Sequence, residues 1–540
     1  MRFLFILIFS LGSLLSYSQN YQASIFKLSR LINLINFYYV DSVNNDALVD
    51  ASINAMLEEL DPHSVYIPKK DVEETNEPLE GNFGGVGIQF AIVEDTLQVV
   101  TTIAGGPSEK VGVLAGDRII KINDKNVASV GLRNSDVIKK LRGKKGTKVN
   151  IDIKRPGEKE ILDFTIIRDK IPIYSVDAAY MLDKETGYIK LSRFAAKSDE
   201  EFEKAIDSLK QNKGFKNLIF DLRGNGGGYL NTAFRIVDEF LGNKKMIVYT
   251  KGLNSPYTPY VATNRGDFEN GKLIILVNEG SASASEITSG AIQDWDRGLI
   301  MGRRTFGKGL VQRPFMLPDS SMVRLTIAHY YTPSGRLIQK HFGKGEKGMH
   351  DYYMDVINRY NSGQLTNKDS IHFPDSLKFY TKVNHRVVYG GGGIMPDIFI
   401  PLDTTKKYSK TFSKIIRKGL LNTFTASYID ENRDELEKNY PLFPTYQKNF
   451  KVDSVILNKL FVYAEKNNIK FKDDKEKNEF YNDKIAKKVI KALIARNLWN
   501  STAYFKIMNQ DDEVLQKAIS VLNDNKLYFN KLKGISKKDK

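Results

Sequence analysis

Twice in this chain an apolar run breaks through small residues into a helical pattern, and that arrangement constrains the fold most. Leu218-Ile219-Phe220-Asp221-Leu222-Arg223 runs into Gly224-Asn225-Gly226-Gly227-Gly228, then into helical-looking residues from Leu230 to Phe240. Leu273 to Val277 runs into Asn278-Glu279-Gly280-Ser281-Ala282-Ser283-Ala284-Ser285-Glu286, and a helix is predicted over Ser285 to Gln293. A short continuous apolar run suits a buried strand, and strands alternating with helices make an α/β sheet. Gly187 to Leu191 supplies another strand and Asp199 to Lys210 an amphipathic helix. A strand that opens through glycines into a helix aims backbone N–H groups at one spot, which is how an oxyanion hole is built without side chains.

The second break sets Ser283 among small residues, so its hydroxyl is unhindered. A serine hydroxyl is a poor nucleophile and needs a base. Gly307-Lys308-Gly309-Leu310-Val311-Gln312 offers an amine flanked by glycines. Desolvation lowers a lysine pKa far enough for it to act as that base. The pair reads as a Ser-Lys hydrolase, and a helix starting just after Ser283 favours negative charge on the attacked carbonyl. A hairpin is predicted over Val311 to Tyr331, turning at Pro318-Asp319-Ser320; on its first strand Lys308 and Gln312, four apart, share a face. The chain has no cysteine, which excludes a thiolate nucleophile, a disulfide framework and cysteine-ligated zinc. His341, His350, His372 and His385 fit no ligand spacing such as HExxH and read as surface residues. His63 and His329 are the alternative bases, and neither lies in a catalytic motif.

DLRGNGGG, NEGSASASE and GKGLVQ, in that order, resemble the carboxy-terminal processing peptidases, also called tail-specific proteases. These are Ser-Lys serine endopeptidases with an inserted PDZ domain. The resemblance runs from Leu60-Asp61-Pro62-His63-Ser64 to the Gly-Ile-x-Pro-Asp pattern within Gly390 to Ile400. It implies Ser283 as nucleophile, Lys308 as general base, Gln312 as the residue that orients the lysine, and an oxyanion hole from Gly227 or Gly228 with the N–H of Ala284. Gly84-Gly85-Val86-Gly87-Ile88-Gln89-Phe90 resembles the PDZ loop that cups a terminal carboxylate, which implies peptide binding at Gly85, Val86, Gly87 and Ile88. Glycines let consecutive amides converge on an anion, and the following strand pairs with an added peptide strand. Asn134 to Leu141 is predicted as the PDZ helix, with Ser135 as cap and Val137, Ile138 and Leu141 facing inward. The implied partners are protein substrates with free C-termini, and no metal or organic cofactor is implied. A catalytically dead adaptor or chaperone, and a binding protein on the same fold, are the rival classes; the intact Ser283, Lys308 and Gln312 count against both.

At 540 residues the chain holds several domains. The expected order is a signal peptide (1–18), an N-terminal helical region (19–82), a PDZ domain (83–168), an α/β protease core (169–400) and a helical extension (401–540). Met1 to Leu15 carries one positive charge and then an apolar run, and Ser16-Tyr17-Ser18 gives the small residues a signal peptidase reads. Cleavage is predicted before Gln19, the run being short for a span of about 20 residues. Export places the protein in the periplasm or cell envelope, with secretion as the alternative. Ile25, Leu28, Leu31, Ile32 and Ile35 recur at helical spacing, and a second helix from Ala47 to Leu60 stops at Asp61-Pro62. Ile485, Val489, Ala492 and Leu493 mark one face of a helix in the extension. These N- and C-terminal helices are where a homodimer would form. The formal charge is +16, but the lysines are spread along the chain and concentrate only in Lys531 to Lys540. Nucleic acid is not an expected partner of an exported protein, whereas peripheral attraction to anionic envelope polymers is.

Overall fold

A computed structural model of the chain describes residues 21–103 and 105–535. The predicted signal peptide lies outside them. They divide into two compact units, a smaller one drawn from residues 21–72, Gln312–Thr326 and Phe342–Tyr352, and a larger one from the described residues of Glu73–Val311, Ile327–His341 and 353–535.

In the smaller unit residues 21–38 are helical. The predicted stripe on this helix is exposed apart from the half-buried Ile35: Ile25 is 46% and Leu31 52% accessible, with Phe37 at 81% beside them. Helix α1 (Asn45–Glu58) starts where the Asn44 side chain accepts the Ala47 N–H, and ends two residues before the predicted stop. The Asp61 carboxylate explains the turn that follows. It accepts the N–H groups of His63 and Ser64 and the hydroxyls of Ser64 and Thr326. Strand β1 (Val65–Ile67) then pairs antiparallel with Met322–Arg324.

The larger unit begins with the PDZ strands. These are β2 (Asn82–Gly85), β3 (Ile88–Val93), β4 (Thr96–Thr102) and β5 (Arg118–Ile122), followed by helix α2 (Asn134–Leu141) and strands β6 (Lys148–Lys154), β7 (Ile161–Ile167) and β8 (Asp169–Pro172). β2 pairs with β8, while the others run β3-β4-β5-β6-β7 around a core that includes Leu97, Val99, Ile119 and Ile151. Two details of the helix differ from expectation. Its N-cap is Arg133 and not Ser135, because the Asp136 carboxylate reaches back to the Arg133 N–H. Ile138 faces outward at 38% exposure, because the buried stripe is Val137 and Leu141, four apart, and the next residue lies a helical step round.

The α/β half follows with β9 (Val176–Met181), β10 (Thr186–Leu191), α3 (Ser198–Lys210), β11 (Asn217–Asp221), α4 (Leu230–Asp238), β12 (Met246–Lys251), β13 (Lys272–Val277), α5 (Ala284–Asp294), β14 (Leu299–Gly302), β15 (Leu310–Met316), β16 (Met322–Tyr331) and β17 (Ile398–Phe399); residues 312–316 of β15 and 322–326 of β16 belong to the smaller unit. The main sheet is ordered β9-β10-β11-β13-β14-β17, antiparallel at β9 and parallel elsewhere. Covered on both faces, its strands read as unbroken apolar runs. Leu218, Phe220, Ile275 and Val277 point to one face, against Phe202, Ile206, Ile236 and Ile287 of α3, α4 and α5. Ile219, Ile274, Leu276 and Met301 point to the other.

The second face is closed from the far end of the chain. After α6 (Leu420–Asn439) and a helical bundle with its own core around Phe412, Leu457, Phe480 and Ile490, the chain returns as α7 (Glu513–Asn523) and α8 (Asn525–Leu532). Leu515, Ala518, Val521, Leu522 and Tyr528 of these two helices pack on that face. Val489, Ala492 and Leu493 are buried in the bundle as predicted. α6 packs against β3 of the PDZ domain, and Asp430 on α6 meets Arg118 at 3.6 Å.

Candidate active site

Ser283 ends the turn between β13 and α5 with φ +54° and ψ −112°, a backbone conformation that is costly for a non-glycine residue and marks stored strain. Its neighbours are already committed. The Ser281 hydroxyl donates to the Leu222 carbonyl (2.8 Å), and the Ser285 hydroxyl to the Asn225 carbonyl (2.8 Å). Both are fully buried, whereas Ser283 is half-buried. Of the three serines in the run, Ser283 is the one that is not fully buried.

Lys308 lies in the loop between β14 and β15, not on the predicted strand; Gly307 at φ +91° delays the strand to Leu310. One carboxylate ties this loop to the serine turn. Glu286 Oε2 accepts the N–H groups of Ser283 (2.9 Å) and Lys308 (2.8 Å), and Oε1 accepts the Gly307 N–H (2.7 Å) and the Thr305 hydroxyl (2.5 Å). Burial pushes the Glu286 carboxyl above its ordinary value, and the four donors pull against that rise. Tyr330, buried on β16, closes the other side. Its hydroxyl donates to the Lys308 carbonyl (2.6 Å) and lies 3.1 Å from the Ser283 carbonyl.

Behind Lys308, which is half-buried, lies the buried Lys340. The Lys340 N–H donates to the Gly307 carbonyl (2.9 Å), its ammonium sits 3.8 Å from the centre of the Phe306 ring, and Asp355 holds it at 3.0 Å. Burial lowers the Lys340 pKa to about 8 in spite of Asp355.

The glycine loop packs on the serine turn. A Cβ on Gly227 would lie 2.8 Å from the Ser283 Cβ and 3.0 Å from the Ala284 nitrogen, so only glycine permits this approach. The Gly227 N–H is used by the Asn225 side chain (2.8 Å). Gly228 bridges to Phe194 through Phe194 N–H to Gly227 O (3.0 Å) and Tyr229 N–H to Phe194 O (2.8 Å), which turns Gly228's own N–H to the opposite side. Ala284 opens α5, where the first N–H groups have no intrahelical acceptor. Asn278 and Asn225 key the two loops together. The Asn278 side chain accepts the Gly224 N–H (2.8 Å), and the Asn225 carbonyl accepts the Ala282 N–H (3.0 Å).

Gln312 belongs to the smaller unit, where its side-chain amide donates to the His63 carbonyl (2.5 Å). The His63 ring is hydrogen-bonded to the Tyr352 hydroxyl (2.8 Å), which gives it a structural partner. His329 precedes Tyr330 on β16. Alternate strand residues face opposite ways, so His329 points away from the side on which Tyr330 meets Ser283 and Lys308. His341, His350, His372 and His385 are exposed. In the PDZ domain Gly85 ends β2, Val86 and Gly87 form the loop, and Ile88 opens β3, the edge strand of its sheet. Gly87 has φ +77°.

Sequence reasoning passed over Glu286, Asn225, Asn278 and Tyr330. The spacing Ser283-x-x-Glu286 is that of a capping box and would have marked Glu286; no local signal marks Tyr330.

Residues 185–345 match peptidase family S41, residues 98–155 match a PDZ domain, and residues 411–500 match a family of unknown function. A carboxy-terminal-processing protease of Bartonella bacilliformis is 36% identical over 325 residues, spanning 59% of this chain and 74% of that one. The carboxy-terminal processing protease CtpA of Bacillus subtilis is 34% identical over 347 residues, spanning 62% and 72%. Among solved structures, a photosystem II D1 C-terminal processing protease covers 58% of this chain and 84% of its own at 28% identity. Its TM-score is 0.33, at which the likeness fixes no position of the site.

Proposed function

This chain belongs to peptidase family S41, among the PDZ-bearing serine proteases that process carboxy termini, and from that premise we propose that it is an exported endopeptidase cutting proteins near their C-termini with a Ser283–Lys308 dyad. Neutral Lys308 takes the Ser283 proton as the hydroxyl oxygen attacks the peptide carbonyl. The oxyanion is met by the N–H groups of Gly228 and Ala284, Gly227 having spent its own on Asn225. Lys308 then protonates the leaving amine, and water releases the acyl-enzyme.

The observation that carries this reading is the convergence of the Ser283 and Lys308 N–H groups on one oxygen of Glu286, which holds a nucleophile and a base together at a strained turn. Substrate tails would add along β3 with their carboxylate on Gly85, Val86, Gly87 and Ile88. The exposed apolar stripe of helix 21–38 supports a homodimer through the N-terminal helices, and the predicted signal supports residence in the periplasm or envelope, with peripheral attraction to its anionic polymers. Purified protein incubated with envelope extracts, followed by sequencing of new C-termini, tests the whole. New termini close to substrate ends, absent with Ser283→Ala, are expected; cleavage that survives Ser283→Ala overturns the dyad.

A further inference from the structure

We propose that Asp512, at the start of α7, is a positioning residue for the oxyanion loop, so that the C-terminal helices hold the geometry of the site as well as covering the sheet. The proposal rests on the reading of Gly224 to Gly228 as that loop.

Arg223 is the residue that enters the loop, and each of its polar groups is held. Its N–H donates to Asp221 Oδ1 (2.9 Å), and its carbonyl accepts the Lys190 ammonium. On one side of the guanidinium, Nε and Nη2 reach Asp221 (3.0 and 2.6 Å). On the other, Nη1 meets Asp512 Oδ2 at 2.8 Å. Burial alone would raise the Asp221 carboxyl, but the Arg223 and Lys190 charges overcome it and hold the group well below the usual range. The guanidinium therefore lies between a carboxylate on β11 and a carboxylate on α7. Two carboxylates gripping a planar donor fork define its orientation as well as its distance.

Asp512 does two separable things. Oδ1 caps α7 by accepting the Leu515 N–H (3.0 Å), while Oδ2 and the negative charge serve Arg223. Capping needs only an acceptor, and asparagine supplies one. With the side chains of Arg223 and Asp512 about four-fifths buried (19% and 20% exposed), the pair is shielded from salt more than a surface bridge is. An oxyanion hole works only if its donors are in place before charge appears, so slack at Arg223 reaches the rate and not the binding of peptide.

The test compares Asp512→Asn with Asp453→Asn. Asp453 caps the helix Ser454–Lys466 by the same kind of bond (3.0 Å to the Ile456 N–H). kcat and KM on one peptide, the affinity of a peptide boronic acid, and Tm are measured for both, with Ser283→Ala alongside. A boronate adduct places an oxygen in the oxyanion hole and reports its geometry directly. Asp512→Asn is expected to lower kcat and boronate affinity about tenfold, less than the loss on deleting a donor outright, with KM unchanged. Asp453→Asn is expected to keep both. If Asp512→Asn does not fold, Asp512→Ser keeps a capping oxygen and takes its place. Wild-type kcat and boronate affinity in the Asp512 variant, a change in KM alone, or an equal loss in Asp453→Asn overturns the proposal. Cleavage surviving in Ser283→Ala overturns the underlying reading instead, so the two failures are distinct.

Discussion

In the proposed function two loops present backbone N–H groups to an anion, and they are held by different means. One pair, the glycine loop and the serine turn, is keyed by side chains: Asn278, Ser281 and Ser285 bond across it, while Asn225 braces the glycine loop and Glu286 the serine turn from within. The PDZ loop is held mainly through its backbone. The Gly87 carbonyl accepts the Ile103 N–H (2.8 Å), and the Val86 carbonyl accepts the Ser108 N–H (3.0 Å) and hydroxyl (2.7 Å). The difference follows from what each anion is. An oxyanion exists only in passing, and its donors have to be fixed beforehand. A terminal carboxylate is a stable group that a loop meets on binding. The catalytic loops should therefore fail on side-chain changes that remove no backbone donor, while the PDZ loop should fail only when its backbone is changed.

The largest effects belong to the proposed dyad. Ser283→Ala and Lys308→Ala should each lower kcat by about 10⁴-fold or more, and the double variant no further, since the two act as a unit. Lys308→Arg should fail too, because arginine keeps its proton at working pH. Ser285→Ala loses one neutral hydrogen bond and Ser281→Ala two, since the Ser281 hydroxyl also accepts the Asn278 N–H (3.0 Å); at a stability cost of about 1 kcal/mol per bond, both should keep most of their turnover. A dead Ser281→Ala beside an active Ser283→Ala would move the nucleophile by two residues.

Glu286→Gln comes next. Every group on Glu286 is a donor, and three are backbone N–H groups that cannot reverse. A glutamine offers one oxygen and turns an amine toward donors, leaving buried N–H groups unmet at about 1–3 kcal/mol each. We expect kcat to fall about 100-fold with a lower Tm. A variant that loses Tm but keeps kcat would show that Glu286 serves the fold alone.

How much of this the sequence carried depends on how local the cause is. β11 appears over the predicted Asn217 to Asp221, because five apolar-rich residues between turns have few alternatives. The helix after Ser283 is legible for the same reason. The sequence places Lys308 on the first strand of the predicted hairpin, and the positive φ of Gly307 that keeps it in a loop is invisible in a pattern. Long-range closure was not legible either. Nothing in Leu515 or Tyr528 says that they cover Ile274 and Leu276 in place of one another, and nothing in Tyr330 says that it spans Ser283 and Lys308. The stripe on helix 21–38 was read correctly as a pattern, but a pattern does not say what covers it.

The PDZ loop gives the next effect. Gly87→Pro forces φ from +77° to the proline value near −65° and removes an N–H. Free-acid substrates should be cut about 10- to 150-fold more slowly, the equivalent of one charge-assisted contact of about 1.5–3 kcal/mol. Amidated substrates should already be poor for the parent protein. Equal cleavage of free-acid and amidated forms of one good peptide would sink carboxylate recognition. Faster cleavage on deleting residues 83–168 would make the domain an inhibitory gate.

The smallest effect separates Lys308 from the buried Lys340. Activity should rise with pH through an apparent pKa well below the free-lysine value of about 10.4, as the dyad amine loses its proton. Lys340 complicates that profile, because it also titrates low, at about 8, and its backbone holds Gly307. Lys340→Arg keeps the charge beside Asp355 but does not titrate in this range. The sign for stability is fixed by linkage. Lys340 has a folded pKa below its unfolded one, so between pH 8 and about 10.4 the unfolded chain holds more protons, and Lys340 makes stability rise with pH across that window. In Lys340→Arg that rise should disappear, while the activity limb should stay within about half a unit of the parent's. Should the activity limb vanish together with the stability slope, the titrating amine seen in catalysis is Lys340. The base-bearing loop would then depend on a side chain's charge as closely as the serine turn depends on Glu286.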